Sequence, residues 1–372
     1  MIIAVNTRIV SGNEENRKFL IESIRQIAIN HPEHQFVFIA EKEIAINHLS
    51  NTKTIILPQQ SSNPVFWKIW YNYKLPAAIK KLKADILISA DGVCSLRMKQ
   101  PQLLLVNDPA FAQYPGSFPK KYIRFAEQNA AGLFEKAKLL ITLSQTAKKT
   151  IAEKYPAYES KIKVITVSPT QQYSPISWEE KEAIKEKYTE GKEYFLFNGA
   201  IHPRSNLLNL LKAFSLFKKR QKSNMQLIIA STKESEDDVL INSISTYKYR
   251  NEVKVLSSIT EQDITALVTS AYACINTGPL HSDITFLLNA VQAYVPVIAG
   301  NLYSAMELLQ DAALFAEASV PENVAEKLML LYKDENKRNE LVSNAAELSK
   351  KYRLSETATQ LWQNIQLVSE SA

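Results

Sequence analysis

Residues 194–220 read YFLFNGAIHPRSNLLNLLKAFSLFKKR. Tyr194 to Phe197 is a short apolar run of buried-strand type, and Gly199, Pro203, Ser205 and Asn206 mark a turn. Leu207, Leu208, Leu210, Leu211, Phe214 and Phe217 then recur at helical spacing, and Lys218, Lys219 and Arg220 close the last turn. Ser205 or Asn206 can cap this helix by accepting from its free amides. Strand, tight turn and helix N-terminus together form a place to hold an anion, because exposed N–H groups and the helix dipole both favour negative charge. Arg204 adds a forked cation there. The stretch is therefore a candidate phosphate site. The plainer reading is a βα unit with a surface arginine in its loop, since every βα protein has several such turns.

The 372 residues suffice for two domains and a large core. The hydrophobic share of 46% and charged share of 22% are those of a soluble globular protein. No apolar run reaches transmembrane length, and Met1-Ile-Ile-Ala-Val reads as a first strand without the basic segment of a signal peptide. Cys94 and Cys274 are too few and too far apart for a disulfide scaffold or a zinc site. A cytoplasmic location is expected.

Charge divides unevenly. Residues 1–180 hold 23 Lys and Arg against 15 Asp and Glu, a net of +8, while residues 181–372 hold 21 against 23, a net of −2. A basic first half suits an anionic surface or substrate, such as acidic lipid or a charged glycan; solubilising surface charge is the plain alternative. Nucleic acid is not expected, because the lysine clusters are short and no nucleic-acid motif accompanies them. Glycine is scarce, at 8 in 372 residues, against a usual share of about 7%. Neither a dinucleotide-binding fingerprint nor a P-loop is present.

In chain order, Ile2 to Asn6 is a strand, Phe19 to Ile29 an amphipathic helix and Gln35 to Ala40 a strand, a βαβ opening that implies a parallel sheet. The aromatic segment Phe66 to Tyr73, read as a helix, puts Phe66, Trp70 and Tyr73 on one face, expected to pack into the core; an acceptor or membrane contact is the alternative. Leu103-Leu-Leu-Val runs into Asn107-Asp108-Pro109. Ligands of open α/β sheets bind at strand carboxyl ends, so Asn107 and Asp108 stand where chemistry is done, although both residue types also make ordinary turns before proline. Residues 171–192, with Ser-Pro punctuation before and within them and a charged helix from about Trp178 to Lys187, read as an interdomain linker. A second βα rhythm follows.

The order of elements, with FLFNGAIHPRSNLLNLLKAFSLFKK, AVQAYVPVIAG, AMELLQDAALF and VNDPAFAQYPGSFPK, resembles a family 4 (group 1) glycosyltransferase of the GT-B architecture over nearly the full length. The resemblance implies an α/β fold of two facing Rossmann-like domains with a cleft between them. An acceptor domain would span 1–170, a donor domain 193–354, and a final helix at 355–372 would pack back on the first domain. It implies a nucleotide-sugar donor, a glycan or lipid-linked acceptor, retained configuration, no bound metal or cofactor, and a place in cell-envelope polysaccharide biosynthesis. Peripheral contact with an anionic membrane through the basic half would fit that setting.

Residue by residue, the resemblance implies donor contacts at Gly199, Arg204, Ser205, His281 and Asn289, catalytic positions at Asp108 and Asn107, and acceptor contacts at Arg8, Gly12 and Asn13. The sequence also departs from the family pattern. The glycine-rich first loop is Ser11-Gly12-Asn13-Glu14-Glu15-Asn16, Asn107 stands where a catalytic His is common, and PRKN has become Pro203-Arg204-Ser205-Asn206. The paired glutamates fall on His281 and Asn289 in the register set by Pro296-Val297. Each lost charge-assisted hydrogen bond costs about 1.5–3 kcal/mol. Neutral His and Asn still contact sugar hydroxyls but do not act as carboxylates; Asp283 would substitute only by a local register shift. An altered but active transferase and a non-catalytic glycan-, nucleotide- or partner-binding protein are therefore both carried forward.

Overall fold

A computed structural model describes residues 1–10, 14–44, 49–58, 63–106, 120–169, 173–199, 201, 205–231, 238–278 and 281–370, without the side chains of 14–15, 238–240 and 281–285. The chain divides into two units, Met1–Thr170 with Tyr352–Ala372, and Gln171–Lys351.

The first unit is built on seven parallel strands: β1 (Ile2–Asn6), β2 (Gln35–Ala40), β3 (Thr52–Ile56), β4 (Ile86–Ser89), β5 (Gln102–Leu105), β6 (Leu139–Thr142) and β7 (Ile162–Val164). Their order is β3-β2-β1-β4-β5-β6-β7. The central strands are buried along their whole length and are mainly apolar, with a polar residue only at an end, as befits strands covered on both faces. Helices α1 (Glu14–Asn30), α2 (Pro64–Ile69), α3 (Leu75–Leu82), α4 (Lys120–Lys136) and α5 (Gln145–Lys154) connect them. Ser144 caps α5, its Oγ accepting from Ala147 N at 3.0 Å.

Between α2 and α3 the helix widens into a π-turn, Trp70–Lys74, in which Leu75 N donates to Trp70 O. Pro76 follows at once. Its ring would meet the carbonyl of Asn72 in a regular helix and it has no N–H to give, so a widened turn relieves both problems. The extra residue resets the helix face. Trp67, Trp70 and Tyr71 are buried, whereas Phe66 and Tyr73 point outward. The shared core face expected for Phe66, Trp70 and Tyr73 is thus corrected to Trp67, Trp70 and Tyr71, with Trp67 edge-on to Phe125 of α4 at 5.4 Å.

The second unit has six parallel strands in the order β10-β9-β8-β11-β12-β13: β8 (Tyr194–Asn198), β9 (Gln226–Ala230), β10 (Val253–Leu256), β11 (Ala273–Asn276), β12 (Val297–Gly300) and β13 (Ala313–Ala316). Helices α6 (Trp178–Thr189), α7 (Leu207–Gln221), α8 (Asp238–Ser245), α9 (Glu261–Ser270), α10 (His281–Gln292), α11 (Tyr303–Leu309), α12 (Pro321–Lys333) and α13 (Glu335–Ser349) surround it. The residues read as a linker contain α6, fixed by the capping box of Ser177 and Glu180 and packed on α9. Phe195, Phe214 and Phe217 are fully buried at the centre of this unit's core.

The last helix, α14 (Leu354–Glu370), lies along α1 of the first unit. Thr357 Oγ1 donates to Thr166 O at 2.8 Å, and Gln360 Oε1 accepts from Thr166 N at 2.7 Å. Trp362 stacks on His31 at 4.2 Å.

Candidate functional sites at the two switch points

Both sheets reverse their strand order once, between β1 and β4 in the first unit and between β8 and β11 in the second. Connections leave in opposite directions at such a point, and the crevice beyond the strand ends is where open α/β sheets bind ligands. All four strands end in a polar residue: Asn6, Ser89, Asn198 and Asn276.

In the first unit, Asn6 Nδ2 donates to Ser89 Oγ at 3.3 Å and lies 3.4 Å from Tyr71 Oη, while Asn6 Oδ1 accepts from Arg8 N at 3.2 Å. Asp91, two residues beyond β4, accepts from Val10 N through Oδ2. These contacts fold the chain after β1 across the mouth of the switch point. Arg8 is 4% exposed. Its guanidinium carbon sits 4.9 Å from the Trp70 ring centre and 5.5 Å from that of Tyr71. Glu41 Oε1 is 3.4 Å from Arg8 Nε, and neither Nε nor Nη1 has a hydrogen-bond acceptor among the described residues. Burial lowers the Arg8 pKa, opposed by Tyr71, Glu41 and Asp91. Burial pushes the Tyr71 phenol up. Arg8 is thus a sealed cation that braces the aromatic face of the π-turn against the end of β1.

In the second unit, Asn276 Nδ2 reaches Asn198 O at 3.5 Å, and Asn276 Oδ1 accepts from Gly278 N at 2.8 Å. Gly199 stands where these strands part. A Cβ there would lie 3.2 Å from Phe197 Cζ and 3.6 Å from Asn276 Nδ2, so backbone approaches closely only because the side chain is missing. Asn206 precedes α7 in a left-handed conformation, φ 59°, and makes no side-chain cap. Its Nδ2 donates to Ala318 O at 2.6 Å and its Oδ1 accepts from Asn209 Nδ2 at 2.8 Å. The capping role expected of Asn206 is corrected accordingly: its amide is committed elsewhere, and the first turn of α7 receives no cap from it. Ser205 is half-buried just ahead of it.

His281 is the first residue of α10, which follows β11, so connectivity puts it at the carboxyl edge of the sheet. Asn289 lies on the same helix, about 12 Å further along its axis. Asn289 Oδ1 is buried with no hydrogen-bond partner among the described residues. Asn107, Asp108, Gly12, Asn13 and Arg204 lie outside the described residues. Of the remaining residues singled out in the sequence, Gly199, Ser205, His281 and Asn289 belong to the second unit and Arg8 to the first. Sequence reasoning missed Asn6, Ser89, Asp91 and Asn276; the available signal was a polar residue closing or following a buried strand. Among the described residues, no group of three or more His, Cys, Asp or Glu side chains could hold a metal ion, and no helix is long and apolar enough to cross a membrane.

Residues 179–348 match the sequence signature of the family described as Glycosyl transferases group 1. The O-antigen chain mannosyltransferase B of Escherichia coli is 23% identical over 247 residues, covering 66% of this chain and 65% of that protein. The chain therefore matches just under two thirds of that relative's length. Among solved structures, Alr3699/HepE of Anabaena, crystallised with UDP-glucose, superposes with a TM-score of 0.76 at 16% identity, over 98% of this chain and 99% of that one. WaaG, a glycosyltransferase involved in lipopolysaccharide biosynthesis, superposes with a TM-score of 0.75 at 14% identity, over 97% and 99%. The fold is that of the GT-B class.

Proposed function

We propose, from the match of residues 179–348 to the group 1 glycosyl transferases, that the chain transfers a sugar from a nucleotide-sugar donor to a glycan or lipid-linked acceptor. Configuration is retained and no resident metal takes part. The observation that carries this reading is the second switch point, where β8 and β11 end in Asn198 and Asn276, Gly199 packs close against Asn276, and Asn206 gives α7 no side-chain cap. In this reading Gly199, Ser205 and Arg204 receive the donor diphosphate, Asn289 a ribose hydroxyl and His281 the sugar. Asp108 and Asn107 take the catalytic roles. Arg8 acts as a positioning residue at the end of β1, and Gly12 and Asn13 contact the acceptor. The E. coli relative's name supports polysaccharide assembly as the setting. The +8 charge of residues 1–180 supports peripheral contact with the anionic inner face of the membrane from the cytoplasm.

A second reading, a non-catalytic binding subunit on the same scaffold, is favoured by one observation: neither His281 nor Asn289 is a carboxylate, and Asn289 Oδ1 is buried without a hydrogen-bond partner among the described residues. Calorimetric titration with UDP, GDP, ADP and their sugar conjugates, with Arg204→Ala as control, tests both. Micromolar binding that the control abolishes, followed by sugar release in the presence of a chelator, supports transfer. Binding without turnover over any acceptor supports the second reading, and no binding to any nucleotide sinks the first.

A further inference from the structure

The helix from Pro64 to Leu82 buries one face and leaves another uncovered. Val65, Phe66, Ile69 and Tyr73 are 61%, 47%, 43% and 53% exposed. Three of these recur every fourth residue and Phe66 stands beside them, so they form one strip rather than scattered positions. Leu96 is joined to it, its N–H donating to Asn72 Oδ1 at 2.8 Å, and Leu96 is itself 44% exposed. Arg97 lays its guanidinium over Tyr73 at 4.4 Å. Lys68, Lys74, Lys80 and Lys81 are exposed on the same helix. Between Glu43 and Asp85 the chain has six lysines and no acidic residue.

We propose that this strip is a docking face for an anionic lipid bilayer. It names the surface for the membrane contact proposed above and rests on that contact, but not on transfer chemistry. An exposed apolar strip on a segment that carries lysines and no acidic residue is poorly suited to water and well suited to an interface whose interior is apolar and whose surface is negative. Tyr73 and Phe66 supply side chains that settle at headgroup depth, and the lysine stems lie along the apolar surface with their ammonium groups turned to phosphate. Each basic residue near such a surface raises binding about fivefold at physiological ionic strength, and salt removes that part.

The test is cosedimentation of the full chain with phosphatidylcholine vesicles with and without phosphatidylglycerol. The variants are Lys68→Gln/Lys74→Gln/Lys80→Gln/Lys81→Gln and Phe66→Ser/Ile69→Ser, with circular dichroism as the check on folding. All six side chains are exposed, so folding should survive. The expected result is salt-sensitive binding to the phosphatidylglycerol vesicles, weakened about a hundredfold or more in the lysine variant. The Phe66/Ile69 variant should lose binding at low and high salt alike. Unchanged binding in both variants would overturn this face while leaving membrane contact in place. No binding of the unaltered chain would overturn both. A dimer in sedimentation velocity that Phe66→Ser/Ile69→Ser dissolves, without vesicle binding, would assign the strip to a second copy instead.

Discussion

Arg8 and Trp70 are stacked, guanidinium carbon to ring centre 4.9 Å, with the cation almost wholly withdrawn from water. A buried guanidinium is costly, and here rings on one side and the Glu41 and Asp91 carboxylates on others compensate it. Arg8→Met should therefore lower the stability of the first unit by about 2–3 kcal/mol, because Glu41 and Asp91 lose the buried cation that offsets their charge. Arg8→Lys should recover only part, because an ammonium does not stack as a plane. Urea unfolding followed by Trp fluorescence reads both, and a loss below about 0.5 kcal/mol for the Met variant would contradict the bracing role.

Gly199→Ala should crowd Phe197 and Asn276 at the mouth of the second sheet. The expected cost is about 1 kcal/mol of stability and at least a tenfold loss of nucleotide affinity. Calorimetry together with thermal unfolding separates the two. A variant that binds nucleotide as well as the unaltered chain would remove Gly199 from the donor site.

Asn289 offers an opposed pair of effects. A sealed, unsatisfied amide oxygen is a stability cost of about 1–3 kcal/mol. Asn289→Leu should raise the unfolding midpoint while weakening nucleotide binding threefold to tenfold, the trade expected where a polar group is kept for a ligand. If stability and binding both fall, the oxygen has a partner in the folded chain and no ligand role.

His34 gives the pH dependence. Burial holds its imidazole below the ordinary value, helped by the Met1 ammonium 3.1 Å from Nδ1 and by His31, and opposed by Glu33 at 3.4 Å from Nε2. The unfolded chain therefore binds the His34 proton more readily than the folded one. This contribution to stability is complete above about pH 6.5 and is lost as pH falls below it. The contact at risk is the packing of Trp362 on His31, which it stacks, and on His34, which it meets at a tilt, and this packing holds α14 against the rest of the first unit. The melting temperature should drop between pH 7 and pH 5, and His34→Gln should flatten that slope. An unchanged slope would place the pH-sensitive group elsewhere.

The alternation of buried strands with amphipathic helices was legible in the sequence, because the central strands are short, mainly apolar runs and the helices carry a 3.6-residue period. The face of the aromatic helix was not. Its register depends on one extra residue in a π-turn, and the cause, Pro76, lies after the aromatic run rather than in it. Helix α10 is not legible in the sequence, since His281 to Thr285 lacks the apolar spacing that announces a first turn. Asn206 looked like a cap by residue type, but its partners are Ala318, 112 positions away, and Asn209. Side-chain choices of that kind are decided by tertiary neighbours, which local pattern does not carry. For the same reason Asn6 and Ser89 became visible as a pair only when β1 and β4 were seen to be adjacent.

The first unit is interrupted: its helix α14 follows the whole of the second unit in the chain. During synthesis the ribosome must therefore deliver all of Gln171–Lys351 before the helix that covers α1 exists. Until then His31 and the neighbouring α1 surface have no Trp362 to meet. The second unit is continuous and can close its sheet first, so assembly of the first unit is completed only once α14 has been made.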